Sequence, residues 1–240
     1  MHGKVFSYKY GKRIRSCVII MAEEVVLLGF WASPFAMRVK IALAEKEIDY
    51  VSREQNLFNK SSLLLEMNPV YKKVPVLIHE GKPICESLII IEYIDEVWKH
   101  KAPLFPSDPC ERAHARFWAD YVDKHIFPNA QLLWASKGER QEAAKKSLIE
   151  SFKALEGELG DKPYFGGESF GLIDIALIPF FSFFYAFETL GRFSMEEECP
   201  EIVAWAKRCS QRETVSKAVA LDQHKAYEFV LELMAWHGVK

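Results

Sequence analysis

One junction early in the chain limits what the sequence can fold into. The run Val25 to Phe30 is apolar and rich in Val and Leu, which predicts a strand buried on both faces. Pro34 cannot donate a hydrogen bond to a sheet, so the strand has to end before it. The residues Phe35 to Lys46 then follow a helical pattern. The junction holds one small hydroxyl residue, Ser33, at a place where both helix caps and active sites occur.

The rest of the first hundred residues continues an alternation of strands and helices. In the helix after Pro34, the apolar positions repeat at helical spacing, and Arg38 and Lys40 are expected to face elsewhere. The later patterns predict a strand at Tyr50 to Gln55, strands at Val74 to Glu80 and Pro83 to Cys85 joined by a turn at Gly81-Lys82, and a helix at Ser87 to Trp98. This order predicts a compact α/β unit of roughly 80 residues.

A proline-rich connection, His100 to Pro109, separates this unit from a different pattern. After it we expect only helices, at Glu111 to Lys137, Arg140 to Leu159, Gly171 to Phe187, Ile202 to Cys209 and Thr214 to Leu233. The sequence therefore predicts an α/β domain at residues 23–100, a linker at 101–109 and an all-helical domain at 110–240. The apolar helix contains Asp174 and Pro179, so we expect it to lie in a protein core, and no apolar run reaches the roughly 18 residues of a membrane span.

The first twenty residues differ from the remainder because they contain five Lys or Arg residues and no acid. We predict that residues 1–22 form a basic, disordered extension. Two interpretations stay open. The segment is an organelle-targeting sequence, or it is translated sequence upstream of a natural start at Met21, and we favour the second by about two to one.

Composition narrows the function classes. The net charge is -2 with both signs interspersed, which gives no broad basic surface for nucleic acid or anionic membranes. The five cysteines show no CxxC pair and no zinc-ligand spacing with histidine, so we expect neither a metal site nor a disulfide framework. This cysteine usage favours a reducing compartment and hence a cytoplasmic location.

Five motifs in a fixed order carry a family resemblance. They are GFWASPF, NKSSLLLEMNPVYKKVPVLIH, GKPICESLIIIEYIDEVW, LFPSDPCERAHARFWADYVD and FGLIDIALIPF. Together they resemble the cytosolic glutathione transferases, and within them the plant tau class, from about Val25 to about Leu233. The resemblance implies a thioredoxin-like N-terminal domain followed by an all-helical C-terminal domain.

The resemblance also implies a reaction and a catalytic residue. Glutathione would be the co-substrate, no resident cofactor would be needed, and its thiolate would attack hydrophobic electrophiles in detoxification and stress responses. A free thiol has a pKa of about 8.5 and is mostly protonated at neutral pH, so a hydrogen-bond donor is needed to stabilise the thiolate. Ser33 is the implied donor. From the residues alone Ser33 is more readily explained as a helix cap.

The same resemblance assigns the rest of the glutathione site. Lys60 and Lys73 would bind the glycyl carboxylate, and Lys60 is the stronger candidate. A cis peptide bond between Val74 and Pro75 would present the Val74 backbone to the peptide of glutathione. Glu86 would meet the γ-glutamyl ammonium and Ser87 the γ-glutamyl carboxylate, although a helix cap and a dipole-favoured acid would look the same in sequence.

The second substrate is expected in an aromatic pocket. Its candidate residues are Phe30, Trp31, Phe35, Trp134 and Phe229, and an aromatic residue at helical spacing is as often part of the core. The family resemblance further implies a homodimer, with Glu92 or Asp95 pairing with Arg112 or Arg116 of the other subunit.

Alternative functions stay open at this stage. The related glutathione-dependent reductases carry Cys where this chain has Ser33, so conjugation is favoured over thiol-disulfide exchange. Reduction of organic hydroperoxides is a second activity to expect. A ligandin, which stores hydrophobic compounds in the same cleft with little turnover, is the main alternative.

Overall fold

A computed structural model of the chain describes residues 24–99, 101–219 and 221–239. The basic extension predicted for residues 1–22 lies outside these ranges. The first unit consists of the elements β1 (Val25–Gly29), α1 (Pro34–Glu45), β2 (Val51–Glu54), α2 (Ser62–Met67), β3 (Val76–His79), β4 (Lys82–Cys85) and α3 (Ser87–Val97). It is followed by helices alone, as the sequence predicts.

The helical unit begins with α4 (Pro109–Tyr121), a π-helical segment (Val122–Ile126), α5 (Phe127–Ala135) and α6 (Glu139–Leu159). It continues with α7 (Leu172–Leu177), a 3-10 segment (Ile178–Phe183), α8 (Phe184–Gly191) and α9 (Met195–Glu198). The last elements are α10 (Pro200–Ser210), α11 (Glu213–Ala218) and α12 (Gln223–Trp236). The predicted fold class, thioredoxin-like α/β followed by all-α, is confirmed.

The four strands form one mixed sheet in the order β2-β1-β3-β4. Strand β1 is parallel to β2 and antiparallel to β3, and β3 is antiparallel to β4. Because successive side chains point to opposite faces, Leu27 packs on one side with α1 and α3, whereas Val26 and Leu28 pack on the other side against Leu64 of α2. Strand β1 is therefore buried on both faces, as predicted.

The strand register brings three chain segments to one end of the sheet. Leu28 of β1 pairs with Val76 of β3, and Val76 pairs in turn with Cys85 of β4. Leu28 belongs to the last pair between β1 and β3, Val76 is the first residue of β3, and Cys85 is the last residue of β4. The loops after β1, before β3 and after β4 therefore meet there. These loops carry the three motifs that the sequence assigns to glutathione.

The β3–β4 turn is displaced by one residue from its predicted position. His79 pairs with Lys82, which leaves Glu80 and Gly81 as the two turn residues. Both have positive φ, 51° and 74°, the backbone of a type I′ hairpin turn. The sequence predicted the turn at Gly81-Lys82, whereas Lys82 is the first residue of β4.

Three helices predicted as continuous are interrupted, and the third, Gly171 to Phe187, is divided by a 3-10 segment. The π-helical segment Val122–Ile126 divides the predicted helix Glu111 to Lys137. The predicted helix Thr214 to Leu233 is broken between α11 and α12, where the side chain of Asp222 accepts a hydrogen bond from the Lys225 amide at 3.1 Å. An Asp cap begins a new helix because its carboxylate satisfies an amide that lacks a helical partner.

The connection between the two units is packed rather than free. Leu104 and Phe105 are buried. The Leu104 amide donates to the Asp95 carboxylate of α3 at 2.9 Å, and its carbonyl accepts from the Leu172 amide of α7 at 3.0 Å. Hydrogen bonds on both sides fix the linker against each unit.

Contrary to the prediction that no apolar run is long enough, the stretch Leu172–Gly191 has the length and apolarity of a membrane span, and 78% of its most apolar part is buried inside the protein. It is divided into α7, the 3-10 segment and α8 rather than being one helix. Pro179 lies in the 3-10 segment. Because proline has no amide hydrogen, it interrupts the hydrogen bonding of an α-helix. The stretch therefore forms the core of the helical unit.

Asp174, in the first turn of α7, anchors this core. Its carboxylate accepts hydrogen bonds from the Gly171 amide at 3.0 Å, the Phe165 amide at 3.1 Å and the Trp205 indole at 2.8 Å. Burial raises the pKa of Asp174 to about 6, and the three hydrogen bonds oppose this rise.

Candidate active site

Ser33 caps α1 and also lines a cavity. Its Oγ accepts the Ala36 amide hydrogen at 3.2 Å, and its own amide donates to the Phe30 carbonyl at 3.1 Å. The side chain is buried and no described residue accepts its hydroxyl proton. A hydroxyl can accept and donate at the same time. The capping role expected from the sequence is thus present and leaves the proton free for a ligand.

The cavity has a volume of about 390 Å³ and lies between the two units. Its walls come from the loops after β1 and β2, the turn before β3, and the helical segments α5, 3-10, α8 and α12. Most of the lining is apolar, which suits a site for an apolar molecule beside a polar one. None of its described lining residues is acidic.

Lysines form the polar side of the cavity. Lys60 lies in the loop before α2, and Lys72 and Lys73 lie in the turn before β3; all three are exposed and line the cavity. The sequence had singled out Lys60 and Lys73 but not Lys72, which has a positive φ of 55°. Val74 also lines the cavity, and the Val74-Pro75 bond is cis, as the family resemblance implies.

Glu86 and Ser87 begin α3 at the same end of the sheet but do not line the cavity. Glu86 has a positive φ of 72°, a backbone conformation that is rare for residues with a side chain. Ser87 is buried, and its Oγ accepts a hydrogen bond from Arg38 Nη1 at 3.1 Å. Like Ser33, it keeps its hydroxyl proton available.

Arg38 does not face away from the core, so the prediction from helical spacing was wrong. It is fully buried, and it donates to the Ala176 carbonyl at 2.8 Å and pairs with Asp123 at 2.7 Å. Its guanidinium also lies 5.0 Å from the ring centre of Phe35, within range of a cation–π interaction. Burial lowers the pKa of Arg38, and the charge of Asp123 opposes that change.

Four of the five predicted aromatic residues line the cavity, namely Phe30, Phe35, Trp134 and Phe229. Trp31 does not. It packs behind the lining, with its ring 5.8 Å from Phe30 and 5.7 Å from Phe229, and its amide donates to Glu54 at 2.6 Å. Its two neighbours in sequence, Phe30 and Ala32, do line the cavity.

Sequence reasoning missed other lining residues. These are, among others, Phe58, Phe127, Gln131, Phe180, Phe183, Phe187, Trp236 and His237. The phenylalanines of the helical segments have the same spacing as ordinary core residues, so the sequence held no signal that separates these pocket residues from the core. Among the described residues, no three His, Cys, Asp or Glu side chains lie close enough together to hold a metal ion.

The predicted pairs between subunits are satisfied within one chain. Glu92 forms an ion pair with Arg116. Asp95 pairs with Lys46 at 2.6 Å, and Arg112 donates to the carbonyls of two residues in the linker. The structure thus gives each of these charges a partner in its own chain, and their pairing with a second subunit stays a prediction.

Comparison with known proteins gives the family. The model of the glutathione S-transferase N-terminal domain matches residues 23–96, and that of the C-terminal domain matches residues 110–213. The probable glutathione S-transferase parC of Nicotiana tabacum is 64% identical over 91% of this chain and 99% of that protein. Glutathione S-transferase U25 of Arabidopsis thaliana is 58% identical over 92% of this chain and 99% of that protein.

Solved structures agree in fold. Rice GST1 in complex with glutathione superposes with a TM-score of 0.86 and 44% identity, covering 92% of this chain and 100% of that one. The tau-class enzyme of mango, Mangifera indica, superposes with a TM-score of 0.83 and 40% identity, covering 88% of this chain and 98% of that one. Since these matches span both units, the chain belongs to the glutathione S-transferase family, in its tau class, and is a glutathione-conjugating enzyme.

Proposed function

We propose that the Ser33 hydroxyl holds the glutathione thiolate for attack on an electrophile. The observation that supports this role is the capping hydrogen bond: the Ala36 amide occupies the Ser33 oxygen at 3.2 Å and leaves the buried hydroxyl proton for the cavity. One hydrogen bond to a charged sulfur is worth roughly 1.5 to 3 kcal/mol, which would lower the thiol pKa by one to two units. The sulfur then attacks the electrophilic carbon and the leaving group departs.

The remaining glutathione groups would bind around this sulfur. In this proposal Lys60 and Lys73 attract the glycyl carboxylate, because both line the cavity and no described acid pairs with either. The Val74 backbone meets the central peptide. At the γ-glutamyl end, Glu86 binds the ammonium and the free hydroxyl proton of Ser87 binds the carboxylate.

The hydrophobic electrophile would occupy the apolar side of the same cavity. The residues proposed to contact it are Phe30, Phe35, Trp134 and Phe229. The two units would then share the reaction, with residues 23–100 holding glutathione, residues 101–109 acting as the linker and residues 110–240 supplying most of the electrophile pocket.

Retention on immobilised glutathione, followed by a conjugation assay with an aryl halide, tests the proposal. We expect wild type to be retained and active, and Ser33→Ala to be retained with a much lower rate. If the wild type were not retained on immobilised glutathione, glutathione binding at this site would be refuted. Unchanged conjugation by Ser33→Ala would leave Ser33 with its capping role alone.

Two related functions use the same cavity. A thiolate held by Ser33 would also attack the oxygen of an organic hydroperoxide, so peroxidase activity is proposed beside conjugation. The alternative is a carrier of hydrophobic metabolites, which the apolar lining supports. Tight ligand binding with little turnover of any electrophile would favour the carrier.

We also propose a homodimer and a cytoplasmic location. Ile89 of α3 and Phe117 of α4 are exposed apolar side chains, 57% and 60% accessible, on the two helices that the Glu92–Arg116 pair joins. Such residues are typical of a protein interface. The four described cysteines are all free thiols, which fits a reducing compartment.

A further inference from the structure

Two polar side chains interrupt the apolar wall that α5 and α12 contribute to the cavity. They are Gln131 of α5 and His237, which directly follows α12. No described residue hydrogen-bonds to either side chain, so both are free to meet a ligand. Their positions along the two helices show which part of a ligand they would contact.

Aromatic contacts mark the end of the cavity beside Ser33. Phe35, two residues after Ser33, lies 4.9 Å from Phe127 between ring centres. Phe30, three residues before Ser33, lies 5.1 Å from Phe229. The first turn of α5 and the middle of α12 are therefore next to the proposed thiolate.

The other end of the cavity is marked by a contact between Trp134 and His237, with ring centres 5.6 Å apart. Trp134 is seven residues beyond Phe127, and His237 is eight beyond Phe229. At a rise of 1.5 Å per residue these separations are about 10 and 12 Å along the helix axes. His237 thus lies at the far end of the apolar wall, and Gln131 lies about one turn from Phe127.

The His237 side chain is exposed at the edge of the cavity and contacts two aromatic rings. It packs between Trp134 and Trp236, whose ring centre is 4.8 Å away. An imidazole has at least one N–H donor in either of its common protonation states. A donor at the end of an apolar wall would recognise an oxygen acceptor on a ligand whose other end reacts.

We propose that His237 is a specificity-determining residue that donates a hydrogen bond to an acceptor at the far end of elongated aromatic electrophiles. The substrate class consists of molecules about two linked rings long, with the reactive carbon at one end and a nitro, carbonyl or sulfonyl oxygen at the other. This inference rests on the proposed position of the thiolate at Ser33.

A matched pair of substrates tests it. The pair is biphenylmethyl chloride and its derivative with a nitro group at the far para position, which is too remote to change the reactivity of the chloromethyl carbon much. For each variant, the ratio of kcat/KM for the nitro compound to that for the parent is measured. We expect His237→Phe to lower this ratio about fivefold, through a higher KM for the nitro compound, since one neutral hydrogen bond is lost.

Two further variants separate hydrogen bonding from structure. His237→Gln keeps an N–H donor and is expected to retain most of the wild-type ratio. His224→Phe makes the same exchange in the first turn of α12, outside the cavity lining, and is expected to leave the ratio unchanged.

The outcomes distinguish this inference from the proposed function. An unchanged ratio in His237→Phe, with both chlorides still conjugated, would overturn the role of His237 alone. An equal fall in His224→Phe would also overturn it. If wild type conjugated neither chloride, or if the parent rate were unaffected by Ser33→Ala, the proposed thiolate position would be overturned as well.

Discussion

Arg38 and Asp123 form an ion pair, with 2.7 Å between Nη1 and Oδ1, that joins α1 of the α/β unit to the π-helical segment of the helical unit. The same guanidinium donates to the Ala176 carbonyl at 2.8 Å and to Ser87 Oγ at 3.1 Å. One buried side chain therefore binds both units and orients the serine proposed for the γ-glutamyl carboxylate.

Arg38→Met is expected to lower the free energy of unfolding by about 3 kcal/mol, because three partly or fully buried acceptors lose their charged donor. It should also raise the KM for glutathione, since Ser87 is no longer oriented. Urea unfolding and steady-state kinetics measure these effects. Lys40→Met on the same helix is the control and should change stability by less than about 0.5 kcal/mol; similar losses in both variants would contradict the role of Arg38.

Ser33 and Ser61 allow capping to be separated from catalysis. Their Oγ atoms accept equivalent amide hydrogens, from Ala36 at 3.2 Å and from Leu64 at 3.1 Å, but Ser61 does not line the cavity. Each change to Ala should cost about 1 kcal/mol of stability through the lost cap. Ser61→Ala also loses a hydrogen bond to Gln55, so its cost should be at least as large.

Only Ser33→Ala is expected to impair conjugation, by roughly 10- to 100-fold in kcat/KM, because it removes the donor to the thiolate. Titration of thiolate absorbance in the glutathione complex should show a higher thiol pKa for this variant. A similar kinetic loss in Ser61→Ala would mean that helix stability, not hydrogen bonding to sulfur, sets the rate.

Asp174 should make stability depend on pH. Its pKa is raised from 3.8 to about 6 in the folded protein, so the folded state binds the proton more tightly than the unfolded state. Protonated Asp174 therefore adds up to about 3 kcal/mol to the free energy of unfolding. This stabilisation is fully present below pH 4 and is lost as the pH rises through about 6.

Asp174→Asn cannot titrate, so the difference in unfolding free energy between wild type and this variant should change over that pH range and be constant above it. The variant should still be less stable at neutral pH, because an amide offers one acceptor oxygen where the carboxylate offers two. Chemical unfolding from pH 4 to pH 8 measures this, and parallel profiles would contradict the shifted pKa.

Phe58 and Trp236 close one side of the cavity by a contact between ring centres 5.2 Å apart. Trp236→Ala is expected to raise the KM for aromatic electrophiles a few-fold and to increase amide hydrogen exchange in residues 56–61, because that loop loses its support. Leu231→Ala, an exposed change on the same helix, should do neither. Unchanged exchange in Trp236→Ala would show that the loop is held by other contacts.

The proposed dimer face makes a prediction about Phe117. Phe117→Glu is expected to shift the protein from dimer to monomer in sedimentation equilibrium, because a charge would be buried in an apolar interface. Leu221→Glu, at another exposed apolar position, should leave the mass unchanged. A monomeric wild type would refute the homodimer.

Local patterns were enough to predict much of the fold. Strand β1, the start of α1 and the carboxylate of Asp174 at the start of α7 depend on neighbouring residues and on turn chemistry, which the sequence displays directly. The glutathione-site candidates came from the resemblance to a family, since Ser33, Lys60 and Ser87 are ordinary surface or capping residues when considered singly.

Features that depend on distant parts of the chain were not predictable. Arg38 is buried among Ser87, Asp123 and Ala176. These partners lie 49 to 138 residues away in the sequence. Trp31, which does not line the cavity, donates its amide hydrogen to Glu54 on another strand and packs on Phe229 of the last helix. Helical spacing describes a single helix and carries no information on such long-range contacts.

The three lysines on one side of the cavity have a kinetic consequence. The chain as a whole has a net charge of -2, yet the described cavity lining contains Lys60, Lys72 and Lys73 and no acid. We expect this local excess of positive charge to accelerate the encounter with an anion such as glutathione, and dissolved salt to screen the effect. An uncharged electrophile is attracted only by the apolar wall, so ionic strength acts on the arrival of one substrate and leaves that of the other unchanged.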